Sequence, residues 1–89
     1  MIDNRIDRVA DLISEVNVSD DRDYAVRVLD VAFNEWSAFA DEFPIGDLTV
    51  RKVGILLRKS RGRFAVDNPD CGREVLADAM AAVRQVAER

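Results

Sequence analysis

Residues 20–43 read DDRDYAVRVLDVAFNEWSAFADEF and contain three of the four phenylalanines and the single tryptophan of the 89-residue chain. With residues placed about 100° apart, as on an α-helix, the apolar side chains fall within an arc of about 120°. They are Ala25, Val28, Leu29, Ala32, Trp36, Phe39, Ala40 and Phe43. Polar residues such as Asn34 and Asp41 occupy the opposite side. This pattern predicts a long helix that forms the spine of the core, with Ser19 or Asp20 as its N-cap.

Two further segments show the same helical spacing. Before the long segment, apolar residues recur at alternating steps of four and three, which forms one helical stripe. This stripe consists of Ile2, Ile6, Val9, Ile13 and Val16. Later in the chain, Asn68 precedes Pro69, an order that suits an N-cap followed by the first residue of a helix. The apolar stripe of this last helix consists of Val75, Leu76, Ala79, Met80, Val83 and Val86. Both helices are predicted to bury their stripes against the long one.

The segment after Pro44 predicts a shorter helix followed by a strand. Pro44 ends the long helix, because proline disfavours helical backbone in the preceding residue and has no backbone N–H to donate. The next helix is predicted from about Val50 to Ser60, with Thr49 as its N-cap. Its apolar face consists of Val50, Val53, Leu56 and Leu57. After Gly62, the alternation of residues 63–66 predicts a short strand.

Two single residues add detail to this outline. Trp36 lies on the apolar arc of the long helix and is predicted to be buried in the core. Gly54 lies inside the third helix, where glycine costs about 1 kcal/mol relative to alanine, and so indicates a close approach of another helix.

Together the segments predict one all-α domain over residues 1–89. We expect a small four-helix fold of the helix-turn-helix or winged-helix type, with at most one short β-hairpin.

The charges are unevenly distributed along the chain. It has 13 basic residues, 17 acidic residues, no histidine and a formal net charge of −4. Residues 48–66 contain no acidic residue but six basic ones, which are Arg51, Lys52, Arg58, Lys59, Arg61 and Arg63. The other 70 residues hold 7 basic and 17 acidic residues, a net charge of −10. A local basic patch, more than the net charge, is the electrostatic feature that matters for nucleic-acid binding.

Three interpretations of this basic segment are open. Lysine and arginine can neutralise phosphates, and guanidinium groups bind phosphate with two parallel hydrogen bonds. The same face could instead dock an acidic protein partner, or be a solvated surface that balances the acidic remainder of the chain. Only Ser60, at the edge of the basic face, offers an uncharged polar side chain for reading bases. The pattern therefore favours contacts with the DNA backbone over contacts with base edges.

The residue inventory argues against an enzyme. Without histidine, the chain lacks the usual general base and the commonest zinc ligand. Its one cysteine, Cys71, has no histidine to activate it, and a chain without an internal disulfide is typical of the reducing cytoplasm. The acidic cluster at residues 20–23 lacks the spacing of a calcium loop. No apolar run approaches the ~20 residues that a membrane helix needs. We therefore expect a cytoplasmic protein with no catalytic residue, no cofactor, no metal site and no membrane partner.

Three short motifs carry a family resemblance. Residues 36–39 (WSAF), 46–58 (GDLTVRKVGILLR) and 61–64 (RGRF) resemble the winged-helix segment near the C-terminus of phage and plasmid primase–helicase proteins. That family combines an aromatic helix, a Leu-Thr helix start, a helix ending in a Leu-Leu pair and an arginine-rich turn into a wing. The resemblance covers about a third of the chain and no ATPase or primase domain accompanies it. It implies nucleic-acid contacts by the six basic residues of 51–63, and no catalysis.

The sequence thus predicts a small, non-enzymatic DNA-binding accessory or regulatory protein. Its basic helix and arginine-rich turn, residues 51–63, would contact the DNA backbone. A homodimer would join two such faces and raise the affinity. The alternative is a helical adaptor, an interaction protein that docks an acidic protein partner on the same face.

Overall fold

The computed structural model describes residues 4–88 and contains four α-helices in that range. They are α1 (Asn4–Asn17), α2 (Arg22–Ala40), α3 (Leu48–Ala65) and α4 (Pro69–Ala87). No strand occurs between residues 4 and 88, so the all-α, four-helix prediction is confirmed and the strand predicted for residues 63–66 is wrong. Ile2, the first member of the predicted stripe of α1, lies outside the described residues.

The helices surround one hydrophobic core. Each packs against its neighbours in the chain, and α1 also contacts α4, which closes the ring. The predicted apolar stripes of all four helices face this core, with Ala40, Phe43, Leu56 and Met80 half-buried at its edge. Between residues 4 and 88, no helix combines the length and the apolar character needed to cross a membrane.

Trp36 anchors α2 to the beginning of α3. Its side chain is only 1% exposed, and the ring centroid lies 5.0 Å from that of Phe39. The indole Nε1–H donates a hydrogen bond to the backbone oxygen of Val50 at 2.8 Å. Because the indole has its donor satisfied inside the core, burial costs no unpaired polar group. The predicted core position of Trp36 is confirmed.

The N-cap of α2 is Asp21, not Ser19 or Asp20 as predicted. The carboxylate of Asp21 accepts a hydrogen bond from the backbone N–H of Tyr24 at 3.1 Å. Ser19 supports the cap itself, because its hydroxyl accepts from the Asp21 N–H at 3.1 Å. At the other end, α2 stops at Ala40 rather than Phe43, and residues 41–43 form a turn.

The N-cap of α3 is Asp47, not Thr49. Asp47 Oδ1 accepts from the Val50 N–H at 3.2 Å, so the helix begins at Leu48. Leu48 is 78% exposed and therefore gives no sign of the first turn in the buried stripe. The predicted N-terminus of α4 is confirmed, with Asn68 as N-cap and Pro69 in the first turn.

The largest correction concerns the C-terminal half of α3. The helix does not stop at Ser60 but passes through Gly62 and ends at Ala65. Ser60 and Phe64 are both buried and extend the stripe that begins at Val50. A glycine inside a helix, here Gly62, costs about 1 kcal/mol relative to alanine. The burial of Ser60 and Phe64 offsets this cost, so the helix continues past Gly62 despite its low helix propensity.

A Schellman turn ends α3 and reverses the chain. The Asn68 N–H donates to the Arg63 oxygen at 2.9 Å, and the Asp67 N–H donates to the Phe64 oxygen at 3.0 Å. Asp67 has a φ of 64°, the left-handed conformation that this turn requires. Asn68 then caps α4 at once, so three residues suffice to bring α4 back against α3.

The close helix approach occurs at Gly72, not at Gly54 as predicted. A Cβ atom on Gly72 would lie 2.7 Å from Cε2 of Phe64, closer than two carbon atoms can pack. A Cβ atom on Gly54 would meet Phe33 Cε2 at 3.6 Å, an ordinary contact. Gly72 is therefore the residue that lets α3 and α4 meet, and Gly54 leaves an open place on the surface of α3.

Candidate nucleic-acid interface

The six basic residues predicted to form the site are all exposed on α3. Since the stripe from Val50 to Phe64 faces the core, these side chains occupy the remaining surface of the helix. They do not form one continuous basic face. The structure divides them into an outer row, whose side chains have no hydrogen-bond or ion-pair partner among residues 4–88, and a groove row on the side of α2.

The outer row consists of Lys52, Lys59 and Arg63. Steps of seven and four residues bring them onto one side of the helix, over a rise of about 16 Å. Among residues 4–88, none of the three side chains has a hydrogen-bond or ion-pair partner within the protein. Their positive charge is therefore fully available to an external ligand.

The groove row consists of Arg51, Arg58 and Arg61, and each contacts the rest of the fold. Arg51 Nη1 donates to the backbone oxygen of Ile45 at 3.1 Å. The guanidinium of Arg58 lies 5.1 Å from the ring centroid of Phe33, a cation–π distance. Arg61 Nε donates to Asp30 Oδ1 at 2.7 Å, an exposed ion pair. These contacts orient Arg58 and Arg61 toward α2 and Arg51 toward the loop before α3, and Asp30 compensates the charge of Arg61.

Exposed apolar side chains accompany the outer row. Leu48, Ile55 and Val66 are 78%, 66% and 70% exposed. Ile55 follows Leu48 by 7 residues and Val66 follows Ile55 by 11, and both steps are close to whole numbers of helical turns. The three side chains therefore lie on one side of the helix, next to the outer row. The outer face of α3 therefore combines cations with isolated apolar side chains.

Ser60 does not belong to this surface, contrary to the prediction. It is completely buried, and its hydroxyl donates to the backbone oxygen of Gly72 at 2.8 Å. The prediction failed because it ended the helix at Ser60, whereas the stripe continues to Phe64. Without Ser60, no exposed residue of α3 carries a hydroxyl or amide group for reading base edges, and Thr49 is half-buried.

Residues able to bind a metal ion are dispersed through the part of the chain that the structure describes. Cys71 is a free, half-buried thiol in the first turn of α4. Between residues 4 and 88, no three cysteine, aspartate or glutamate side chains are grouped closely enough to hold a metal ion. The outer face of α3 is thus the feature from which a function can be argued.

Comparison with protein-family models, with curated proteins and with solved structures finds no significant match to this chain.

Proposed function

We propose that this protein binds the phosphate backbone of DNA through the outer row of α3, as a small non-enzymatic accessory or regulatory protein. The observation that carries the proposal is the row itself. Lys52, Lys59 and Arg63 are exposed, have no partner among residues 4–88, and lie in a segment without acidic residues. A stability role would instead favour alternating charges, since like charges one turn apart destabilise a helix.

The proposed contact is with phosphates rather than with base edges. The outer face carries only cations and apolar side chains, and cations fix a protein on the duplex without reading its sequence. The resemblance to primase–helicase winged-helix segments supports a nucleic-acid ligand. Residues 61–64, which end in a wing in that resemblance, are helical here. Arg63 would therefore reach DNA from the side of α3, in the manner of a helix-turn-helix protein, and not from a wing.

The salt dependence of duplex binding tests the proposal. Each neutralised phosphate contributes a slope of about −0.9 to log K against log salt, so three contacts predict a slope near −3. The double change Lys59→Ala, Arg63→Ala should reduce its magnitude by about 2. The far-UV circular dichroism spectrum should not change, because both side chains are exposed. Anisotropy of a labelled duplex between about 50 and 200 mM salt supplies the slopes.

A matched variant separates the outer row from net charge. Arg27→Ala, Arg84→Ala removes the same two charges from exposed positions on α2 and α4. It should leave the slope unchanged. An equal loss in both double variants would show that binding is a general charge effect. No binding to duplex or single strand at about 50 mM salt would remove the DNA proposal.

A second candidate function is a helical adaptor that docks an acidic protein partner on the outer face. The exposed Leu48, Ile55 and Val66 favour it, because apolar side chains among cations suit a protein interface better than a phosphate backbone. Changing these three residues to serine separates the two candidates. If the outer face binds DNA, the triple serine variant should keep the salt slope of duplex binding. If the face binds a protein, the variant should lose its affinity for that partner.

A further inference from the structure

A second surface of α3 lies on the side that faces α2. Here three adjoining cavities of about 500, 280 and 510 Å³ form a groove along the two helices. The first and second cavities share Phe33 and Arg58, and the second and third share Ala40 and Val50. The groove therefore runs without interruption from the C-terminal half of α3 to the loop before it.

The middle of the groove has an apolar floor. Phe33 is half-buried there and Trp36 lies beneath it. Gly54 has no side chain to cover the open part of the Phe33 ring, and a Cβ atom in that position would lie 3.6 Å from Phe33 and 3.9 Å from the buried Trp36. Ile55, 66% exposed, borders the same cavity. Glycine thus leaves apolar surface open in a place where any other residue would cover it.

The two rims differ in charge. The α3 rim carries Arg51, Arg58 and Arg61, with no acidic residue anywhere on that helix. Arg61 is already paired with Asp30. Arg51 contacts a backbone oxygen and Arg58 contacts an aromatic ring, so neither has a carboxylate partner among residues 4–88. The α2 rim carries no cation: it has Asp30 and Asp41 as acidic members and Asn34 and Ser37 as neutral ones.

We propose that this groove binds an amphipathic helix of a partner protein. Apolar side chains of that helix cover Phe33 and Gly54, and its carboxylates, along one edge, pair with Arg51 and Arg58. A helix fits because the α3 wall from Val50 to Gly62 rises about 18 Å, the length of three to four helical turns. The unequal rims fix its orientation, since the acidic edge must face α3.

The acidic helix is a different ligand from DNA and uses a different set of arginines. A phosphate backbone offers no apolar groups to cover the floor at Gly54, whereas an amphipathic helix offers them in a row. The groove and the outer row lie on opposite sides of the exposed arc of α3, so one protein can hold both ligands. This inference goes beyond the proposed DNA binding and does not depend on it.

The test uses two labelled synthetic peptides of about 14 residues, long enough for the groove. Both carry the same leucines at helical spacing and no tryptophan. One has glutamates along the flank and the other has lysines. The glutamate peptide should bind the full chain at least about tenfold more tightly, measured by anisotropy. Its binding should also change the fluorescence of Trp36, the single tryptophan beneath the floor.

Variants then locate the binding. Gly54→Leu fills the floor and should weaken the glutamate peptide by about tenfold or more. Arg58→Ala should weaken it severalfold, whereas Lys59→Ala removes the same charge from the next residue, on the outer row, and should not. The comparison of Arg58→Ala with Lys59→Ala keeps the test valid if Gly54→Leu disturbs the fold. Equal affinity for the two peptides, no binding of either, or equal effects of Arg58→Ala and Lys59→Ala would each overturn the proposal. Duplex titration of the same variants reports separately on the DNA proposal.

Discussion

Phe64 of α3 lies over Gly72 of α4, where the missing side chain leaves room for the ring. Phe64 is 2% exposed and belongs to the buried core, and it also borders a cavity of about 200 Å³ beside Ser19 and Arg73. A methyl group on Gly72 would lie 2.7 Å from the ring, so either the ring or one of the helices would have to shift. The hydrogen bond from Ser60 to the Gly72 oxygen, 2.8 Å long, depends on the same spacing. A single glycine therefore determines how closely the two helices pack.

Alanine substitution separates the two helical glycines. Gly72→Ala should lower the free energy of unfolding by about 1–2 kcal/mol, because overpacking outweighs the gain in helix propensity. Gly54→Ala should raise it by about 0.5–1 kcal/mol, because the new methyl group makes an ordinary contact. Urea unfolding of both variants measures the difference. A gain of stability in both would mean that the Phe64 ring shifts without cost.

The burial of Trp36 can be predicted from the sequence, whereas the burial of Ser60 and of Gly72 was not predicted. Trp36 lies on a wide apolar arc, so its burial follows from its own helix. Gly72 is a small residue whose burial depends on the distance between α3 and α4, and the apolar spacing of its own helix does not encode that distance. Ser60 was missed because the predicted helix ended at this residue. A sequence analysis that kept α3 helical as far as Phe64 would have found Ser60, because it continues the spacing of Val50, Val53 and Leu57.

At the scale of the helices, apolar spacing predicts the middle of each element and capping chemistry fixes its ends. All four helices were predicted at the right place in the chain, yet the start of α3 was wrong by two residues. Asp47 and Thr49 both have side chains that can cap, and periodicity does not distinguish them. What decides is the backbone: Asp47 has extended φ and ψ of −76° and 94°, whereas Thr49 is already helical.

Substitution of the two candidate caps of α3 checks this assignment. Asp47→Ala should cost about 1 kcal/mol of stability, because the Val50 N–H loses its acceptor and the helix N-terminus loses a favourable negative charge. Thr49→Ala, the matched control, should change stability by less than about 0.5 kcal/mol. Thermal or urea unfolding gives both values. A larger loss for Thr49→Ala would return the cap to the position that the sequence predicted.

For the whole molecule, the charge distribution both orients and limits the proposed DNA binding. The residues outside 48–66 carry a net charge of −10 and repel DNA. At physiological salt this repulsion is largely screened beyond a distance of about 8 Å. Only an approach with the outer row of α3 foremost is favourable. The sequence predicts the six cations but not their division into two rows. The contacts that divide them come from Asp30 and Phe33 on α2, both distant along the chain, and from Ile45 in the loop six residues before Arg51.

One core shared by all four helices implies that the molecule unfolds as a unit. α1 contributes four side chains to that core, of which Val9, Ile13 and Val16 are completely buried. Ile13 belongs to the same cluster of buried residues as Trp36, although they lie on different helices. The folding of α1 should therefore be coupled to the packing of α2 against α3.

Two probes of unfolding test this coupling. Far-UV circular dichroism follows all four helices, and tryptophan fluorescence follows the contact between Trp36 and α3. The two midpoints in urea should coincide. Ile13→Ala should shift both together and cost about 2–5 kcal/mol. Val18→Ala, which truncates a side chain that is 85% exposed just after α1, should cost less than about 0.5 kcal/mol. If Ile13→Ala moved the circular dichroism midpoint and left the fluorescence midpoint in place, α1 would be an independent unit, and the core would be that of three helices.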